Sequence, residues 1–211
     1  MGKFNEYYSF FRGGGILDLF ENPVIIQSIS KTRGKTVDTK RKYKFDWDTT
    51  VGADMNLARP LLGPSTRVEV YRLFQFTLRD ILEEKYGTET ADSLFREAGV
   101  MAGREFFSKF LSNAKTASEL AAKIQDSFNN FGIGIFRVEN SKEDNSHFIF
   151  TVEEDLDCSG LPDTSDVICV YDEGFIQGVL ESFSGKDFNV REIDCWCTGA
   201  RICRFEAKAA S

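Results

Sequence analysis

The cysteines are the feature that most constrains what this chain can fold into. Four of its five cysteines, Cys169, Cys195, Cys197 and Cys203, fall in the last fifth of the 211 residues. An odd, clustered set is unlike the even and dispersed cysteines of a secreted disulfide framework. In a reducing compartment, clustered cysteines are more often metal ligands or reactive thiols. The C-terminal segment is therefore predicted to fold around a metal site or a redox centre.

Composition and charge narrow the class of protein. The chain is 42% hydrophobic, enough to bury a core, and its net charge of -7 argues against a phosphate backbone or an anionic membrane surface as a direct partner. No run of 18 or more apolar residues and no signal-peptide pattern occurs in the sequence. We therefore expect a cytoplasmic protein with no direct nucleic-acid partner and no membrane partner.

The chain divides by composition into residues 1–66 and 67–211. The first part carries Gly13 to Gly15, a basic stretch from Lys31 to Lys44 and one convincing strand, Pro23 to Ile29. We interpret it as an N-terminal arm and its basic stretch as a solvated loop. Aromatic residues in such an arm need a partner, which favours dimerisation through it, although folding back onto its own domain is an equal alternative.

Three amphipathic helices are predicted from the three- and four-residue spacing of apolar side chains, over 67–87, 88–111 and 118–130. The sequence Thr116-x-x-Glu119 is a capping box that opens the third helix. Gly99 and Gly103 share one face of the second helix, which predicts that another element packs closely there.

After the third helix, apolar residues recur at every second position. The segments Gly132 to Glu139 and His147 to Glu153 are predicted to form one hairpin. Cys169 to Ser184 returns to helix, and Val190 to Cys197 with Ile202 to Ala207 forms a second hairpin. The order predicts an α+β domain in which helices cover one side of an antiparallel sheet.

The spacing within the second hairpin suits a tetrahedral metal site but leaves one ligand open. Cys169 opens a helix whose dipole favours a thiolate, and Cys203 lies on the strand that pairs with that of Cys195. On a regular strand Glu192 and Cys195 point to opposite faces, so both can reach one ion only if the strand bulges. Cys197 shares a face with Cys195 and is the better fourth ligand by spacing alone.

The segment 167–207 resembles the 4-vinyl reductase domain family. The family pattern is a cysteine that opens a helix, then E-x-x-C, then a final cysteine after a short gap, and the matching residues are Cys169, Glu192, Cys195 and Cys203. In the phenol-sensing regulators that carry this domain, these positions ligate zinc. The resemblance therefore implies a structural zinc ion held by these four residues.

The same resemblance implies a fold similar to the ligand-binding domain of nitric-oxide signalling and Golgi-transport proteins, usually dimeric, with a small apolar ligand between helices and sheet. Phenol sensors hold the ligand with a His and a Trp that have no counterpart here, so phenol specificity is not carried over. We assign the pocket to aromatic residues, with two polar anchors. The aromatic residues are Phe74, Phe76, Phe106, Phe110, Phe128, Phe136, Phe148 and Phe150, and the anchors are Tyr71 and Arg104.

Three functions follow from these residues. The leading one is a sensor or carrier domain for a small hydrophobic or aromatic molecule, with a structural zinc site. The second is a redox-sensing or iron-sulfur protein that uses the C-terminal cysteines and leaves Cys158 as a spare thiol. The third is a tetrapyrrole vinyl reductase or its accessory protein. Catalysis has little support, because Gly132-x-Gly134 precedes a strand and not a helix, as a dinucleotide fingerprint would require.

Overall fold

The computed structural model describes residues 42–52 and 54–210. By its contacts the chain divides into two compact units, Met1–Asp46 and Trp47–Ser211. The predicted strand over 23–29 and most of the predicted arm lie outside the described residues, so a role of the arm in dimerisation stays a prediction. Residues 47–66, assigned to that arm from the sequence, belong to the second unit.

The second unit contains six α-helices among its described residues. Two are single turns, and the four longer helices include the three predicted amphipathic helices and the helix that Cys169 precedes. They are α1 (Trp47–Thr50), α2 (Met55–Ala58), α3 (Val68–Tyr86), α4 (Thr88–Phe106), α5 (Ala117–Phe131) and α6 (Val170–Ser184). The predicted second helix extended to Leu111, but its last turn, Phe107–Leu111, is a wider π-helical turn.

Helices α4 and α6 pack closely through glycines on both partners. A Cβ atom added at Gly99 would lie 2.2 Å from the backbone oxygen of Tyr171, and one at Gly103 would lie 2.1 Å from that of Phe175. In return, a Cβ at Gly174 or Gly178 would collide with the α4 backbone at 2.2 or 2.3 Å. The close approach predicted for the α4 glycines is therefore confirmed, and α6 is the element that makes it.

The capping box opens α5 with a small change in its bonding. Thr116 Oγ1 accepts a hydrogen bond from the backbone N–H of Glu119 at 3.2 Å, as the motif predicts. The Glu119 carboxylate reaches one residue further back and accepts from the backbone N–H of Lys115 at 2.7 Å. Gly132 ends the helix in the left-handed conformation that glycine adopts without strain.

The strands form one four-stranded antiparallel sheet in the order β1-β2-β4-β3. Its strands are β1 (Ile135–Ser141), β2 (His147–Glu153), β3 (Phe188–Asp194) and β4 (Cys203–Ala209). Both predicted hairpins are present, and β2 joins them by pairing with β4, where Val152 faces Cys203. The predicted α+β fold class is confirmed.

The strand predicted over 190–197 is wrong at its C-terminal end. β3 stops at Asp194, and Trp196–Thr198 forms a short 3-10 turn instead. The turn is held by the backbone N–H of Thr198, which donates to the Cys195 carbonyl at 3.1 Å. The Thr198 hydroxyl accepts from the Cys195 N–H at the same distance. These local bonds compete with strand pairing, and the chain leaves the sheet at Cys195.

The core lies between the sheet and helices α5 and α6. Phe136, Phe150 and Phe205 are buried on the strands, and Phe128 and Ile176 are buried on the helices that face them. No residue of α3 is buried to this degree, and Phe74 is 69% exposed. α3 therefore stands at the edge of the domain, where it borders the cavity described next.

Candidate metal centre and ligand cavity

Four cysteine sulfurs meet in the interior beside the sheet. The Sγ atoms of Cys158, Cys169, Cys195 and Cys203 all lie within 4.8 Å of one another, and all four residues are fully buried. Cys169 Sγ lies 3.9 Å from that of Cys195 and 3.8 Å from that of Cys203. Four thiolates around a tetrahedral zinc ion, bonded at about 2.3 Å, are separated by about 3.8 Å. The two distances from Cys169 therefore match a tetrahedral thiolate site, and the whole group is compact enough to surround one ion.

Three of these cysteines are the predicted ones, and each is fixed by the end of a secondary-structure element. Cys169 is the residue before α6, and Cys203 is the first residue of β4. The pairing of β3 with β4 is irregular between Glu192 and Asp194. The strand thus deviates at the place where a bulge was required to bring Glu192 and Cys195 to one site.

Cys158 is the fourth sulfur, which corrects the interpretation of this residue as a spare thiol. Its Sγ lies 3.1 Å from that of Cys203. The Asp155 side chain accepts hydrogen bonds from the N–H groups of Asp157 at 2.8 Å and Cys158 at 3.1 Å, a local turn that directs this cysteine inward. Arg72 holds the same loop by donating to the carbonyls of Leu156 and Ser159, both at 2.8 Å.

Glu192, which was predicted as a metal ligand, lies beside the cluster and forms a hydrogen bond with the backbone of Cys169. Its Oε2 accepts from the backbone N–H of Cys169 at 3.0 Å, while Oε1 is buried with no hydrogen-bond partner among the described residues. The Glu192 backbone N–H donates to the buried Glu173 at 2.7 Å, and Glu173 is ion-paired with Arg96. Glu192 thus contacts the Cys169 backbone through one carboxylate oxygen, and its other oxygen has no hydrogen-bond partner among the described residues.

Cys197, the rival ligand by spacing, does not join the four-sulfur group. It is buried within the 3-10 turn, and its carbonyl accepts hydrogen bonds from Thr164 and Ser165, at 2.9 and 3.2 Å. Burial and repulsion from Cys195 raise the pKa of the Cys197 thiol to about 12. Its backbone anchors the loop between Cys158 and Cys169.

The electrostatics of the cluster favour a cation. Hydrogen bonds from the thiols of Cys158, Cys169 and Cys203 lower the pKa of Cys195, while contact with Cys158 raises the pKa of both Cys169 and Cys203. Burial, followed by repulsion from Cys195, raises the pKa of Glu192 to about 8. Four buried thiols cannot all ionise together without a compensating positive charge, which a divalent metal ion supplies.

A cavity of about 410 Å³ opens on the other side of the same loop and helix. This size falls in the range of small-molecule sites, and most of its surface is apolar. Helices α3, α4, α5 and α6 and the segment that follows β2 supply its walls. The lining residues are Tyr71, Phe74, Gln75, Leu78, Phe95, Ala98, Phe128, Ile133, Leu156, Asp157, Tyr171, Asp172 and Phe175.

The polar groups of this cavity gather around two aspartates. Tyr71 Oη donates to one carboxylate oxygen of Asp157 at 2.7 Å, and Gln75 Nε2 donates to the other at 2.8 Å. Gln75 Oε1 and Asp172 Oδ2 are buried with no hydrogen-bond partner among the described residues. Burial is the main cause that raises the pKa of Asp157 and of Asp172, and it raises the pKa of Tyr171 to about 12.

The cluster and the cavity share two short segments of chain. The turn after β2 places Asp157 in the cavity wall and Cys158, the next residue, in the cluster. The start of α6 places Cys169 in the cluster and Asp172 in the wall, with a carboxylate oxygen of Asp172 within 4.8 Å of the Cys169 sulfur. Any displacement of these segments therefore acts on both sites.

The residues predicted for the pocket separate into several places. Tyr71, Phe74 and Phe128 line the 410 Å³ cavity. Phe148 and Phe150 line a second groove, of about 270 Å³, between α5 and the sheet, and Phe136 packs in the core. The other predicted pocket residues do not line the 410 Å³ cavity.

Phe106 and Phe110 form an aromatic cluster with Trp47, at ring-centroid distances of 6.4 and 5.5 Å. Arg104 is exposed and paired with Glu181 at 2.8 Å. Phe76 is half-buried on α3 and is not among the lining residues of the described cavities.

Sequence reasoning missed the polar wall of the cavity and the fourth sulfur. A signal existed for Cys158, because Asp155 three residues before it is the pattern of a side chain that caps a turn. Nothing in the spacing of Asp157 and Asp172, which are fifteen residues apart in the sequence, indicated that both face one cavity.

Comparison with known proteins agrees with the resemblance. Residues 148–209 match the model of the 4-vinyl reductase domain, so the predicted similarity to this family is confirmed over β2 to β4. An uncharacterized protein of Methanocaldococcus jannaschii is 36% identical over 53 residues, which are 25% of this chain and 33% of that protein. The chain thus matches about a third of the length of this relative.

Three solved structures share the fold. The phenol-responsive sensory domain of the transcription activator PoxR aligns with a TM-score of 0.52 at 18% identity, over 68% of this chain and 75% of that one. A vinyl-4-reductase family protein from Methanocaldococcus jannaschii gives 0.53 at 17% identity, over 81% and 99%. A trafficking protein particle complex subunit 3 from Naegleria fowleri gives 0.53 at 18% identity, over 68% and 95%.

These structures align with 68% to 81% of this chain, so the shared fold extends beyond residues 148–209. The match to the trafficking subunit confirms the predicted similarity to the fold of transport proteins. Among the described residues, no helix combines the length and the apolar character that crossing a bilayer requires.

Proposed function

We propose that this chain is a sensor or carrier domain that binds a small apolar molecule in the 410 Å³ cavity, with a structural zinc ion in the cysteine cluster. The observation that carries the proposal is the shared wall: Asp157 with Cys158, and Cys169 with Asp172, link an apolar cavity to a metal-sized group of sulfurs. The PoxR domain, which shares this fold, was solved with phenol, and the trafficking subunit was solved with palmitic acid. Both cases support small-molecule binding as the function to test here.

Zinc is the metal that the donor set fits best. Zinc takes thiolate ligands in a tetrahedron, and structural sites have four protein ligands with no open position. Cys169, Cys195 and Cys203 would supply three of them. The complete burial of these sulfurs is typical of a closed, structural site and not of a catalytic one that admits water.

Cys158 is our choice for the fourth ligand, in place of Glu192. The Cys158 sulfur lies within the group of four, whereas Glu192 already uses one oxygen to bind the Cys169 backbone. In this arrangement Glu192 acts as the hydrogen-bonding partner that fixes a ligand from behind. The alternative, with Glu192 as ligand through its free Oε1, follows the family pattern.

Native mass spectrometry with elemental analysis tests the metal. We expect one zinc ion per chain and a colourless protein. Four cysteines also suit an iron-sulfur centre, so the absorbance near 400 nm of anaerobically purified protein decides between the two. Iron with such a band would favour the redox hypothesis, and a metal-free, stable chain would contradict the metal proposal altogether.

Binding of a neutral apolar probe tests the cavity. Butylbenzene should raise the melting temperature of the chain, because a ligand that binds only the folded state stabilises it. Ala98 lines the cavity, so Ala98→Leu should fill space and weaken binding by at least about tenfold. Glu97→Leu, on the exposed face of the same helix, is the matched control. Equal binding by both variants would place the probe elsewhere.

A cytoplasmic location and a homodimer remain parts of this proposal. All five cysteines are free, as expected in a reducing compartment. The apolar side chains of Val70 and Leu73 on α3 are 57% and 67% exposed, which supports an association between chains. Light scattering during gel filtration separates monomer from dimer, and a monomer at micromolar concentration would remove the dimer from the proposal.

A further inference from the structure

Strand β3 lies at one edge of the sheet, and two of its backbone groups bind side chains instead of another strand. The Val190 carbonyl accepts a hydrogen bond from Nη1 of Arg96 at 3.1 Å. The Glu192 N–H donates to Oε1 of Glu173 at 2.7 Å. Backbone groups two residues apart on a strand point the same way, so one pair of side chains can bind both. Arg96 of α4 and Glu173 of α6 thus take the place of a neighbouring strand.

Arg96 and Glu173 also bind each other, in an ion pair between α4 and α6 whose side chains are 22% and 5% exposed. A second cation, Arg191, lies 3.6 Å from the same carboxylate, but its side chain is 61% exposed and solvent screens its charge. A carboxylate buried as deeply as that of Glu173 needs a partner, and with both oxygens bound its direction is fixed. The pair therefore connects α4, α6 and β3 at one point.

The same contacts lead to the cysteine cluster. Glu173 accepts from the backbone of Glu192, and Oε2 of Glu192 accepts in turn from the backbone N–H of Cys169 at 3.0 Å. Cys169 is the residue before α6, and Cys195 follows Glu192 by three positions. Two hydrogen bonds therefore join the start of α6 to the end of β3, within a few residues of two sulfurs of the cluster.

On this basis we infer that the ion pair of Arg96 and Glu173 positions the cysteine cluster for its metal, although neither residue is a ligand. Without these bonds the metal would have to bring Cys169 and Cys195 together, and ordering the two segments would reduce the net free energy of binding. The pair holds both segments in place before the metal binds. The inference rests on the proposed function, because it concerns the same metal site.

The affinity for zinc, measured by competition with a chromophoric chelator, tests this role. Arg96→Met removes the charge but keeps a long side chain, and it should weaken zinc binding at least about tenfold. Arg104→Met is the matched control, because Arg104 forms an exposed ion pair with Glu181 about two turns further along the same two helices. The control should leave the zinc affinity unchanged.

A double variant separates positioning from stability. Arg96→Met combined with Glu173→Met replaces the ion pair with apolar side chains and leaves no buried charge unpaired, so the free energy of unfolding of the metal-free chain should change little. Zinc binding should still weaken about tenfold, because the bonds to Val190 and Glu192 are lost. The visible spectrum of the Co²⁺-loaded chain reports the geometry around the metal, and it should differ from that of the unaltered chain.

Two variants at Glu173 test the hydrogen bond to β3. Glu173→Gln keeps an oxygen that can accept from the Glu192 N–H, whereas Glu173→Leu keeps none. Glu173→Leu should therefore weaken zinc binding at least about tenfold, and Glu173→Gln should retain most of the affinity. Equal zinc affinities for these two variants would show that this hydrogen bond does not position the site, and the inference would be wrong.

The outcomes separate this inference from the proposed function. If Arg96→Met and the double variant bind zinc as tightly as Arg104→Met does, with the same Co²⁺ spectrum, the ion pair is merely structural and the zinc site stands without it. If Arg96→Met does not fold, the double variant and the two Glu173 variants decide. If the unaltered chain binds neither Zn²⁺ nor Co²⁺, the zinc site of the proposed function fails together with the inference.

Discussion

The cysteine cluster and the apolar cavity share two segments of chain, yet they are held together in different ways. The cluster is closed by four sulfurs between Cys158 and Cys203, each placed by a turn, a helix start or a strand start. The cavity is bounded by side chains from four helices and a loop, between Tyr71 and Phe175, and no single residue closes it. The cluster should therefore lose its metal when one sulfur is removed. The cavity should only bind its ligand more weakly when one lining residue is replaced.

The largest effect should come from removing a sulfur that belongs to the cluster. Cys169→Ser should abolish metal binding and lower the melting temperature by about 10 °C or more, because a structural metal contributes several kcal/mol to folding. Elemental analysis and thermal unfolding measure the two effects. Cys197→Ser, at a buried cysteine outside the group, is the control and should keep one metal per chain. If the Cys169→Ser chain retained its metal, the cluster would not depend on each of its four sulfurs.

The glycine contact between α4 and α6 should come next. Gly103→Ala forces a Cβ to within 2.1 Å of the Phe175 backbone oxygen, so the helices must separate, at a cost of about 3 kcal/mol. Because α6 carries residues of both sites, metal affinity and probe binding should weaken together. Chemical denaturation measures the loss, with Ser93→Ala on the exposed face of α4 as control. An unchanged free energy of unfolding would show that the helices adjust without cost.

The fourth ligand can be settled by two variants of similar size. If Cys158 binds the metal and Glu192 supports it, Cys158→Ser should weaken zinc affinity about a hundredfold and Glu192→Gln only about tenfold. Competition with a chromophoric chelator measures both constants. The reverse order would restore the arrangement implied by the family pattern, in which Glu192 is the ligand.

The smallest effect should follow from Arg104→Ala. The Arg104 side chain is 60% exposed and its ion pair with Glu181 is screened by solvent, so its loss should cost less than about 0.5 kcal/mol. Calorimetry with butylbenzene should give an unchanged affinity, since Arg104 does not line the cavity. A marked loss of affinity would support the sequence-based view of Arg104 as a polar anchor.

Much of the fold was predictable because its signals are local. The capping box at Thr116 and Glu119 and the glycine that ends α5 each depend on a few neighbouring residues. The alternating pattern of β3 and β4 reflects a sheet with one buried face. The end of β3 was placed three residues too late, because Thr198 and Cys195 form a turn that the alternating pattern does not reveal.

The candidate metal site was predictable in part. The spacing of Cys169, Cys195 and Cys203 places three donors at the ends of adjoining elements, and the required irregularity near Glu192 is present. Cys158 was missed because it reaches the cluster through a loop whose path is set by distant partners, among them Arg72 on α3 and the Cys197 carbonyl.

The sequence by itself determined the type and order of the elements and the presence of a cysteine-rich site near the C-terminus, because periodicity, caps and spacing are properties of neighbouring residues. Only the tertiary structure decided which four sulfurs meet and which polar groups face the cavity. Asp157 lies in the loop after β2 and is bonded to Tyr71 and Gln75 of α3, whereas Asp172 lies on α6. Their common position depends on how these separate segments pack, and no single segment of the chain contains that information.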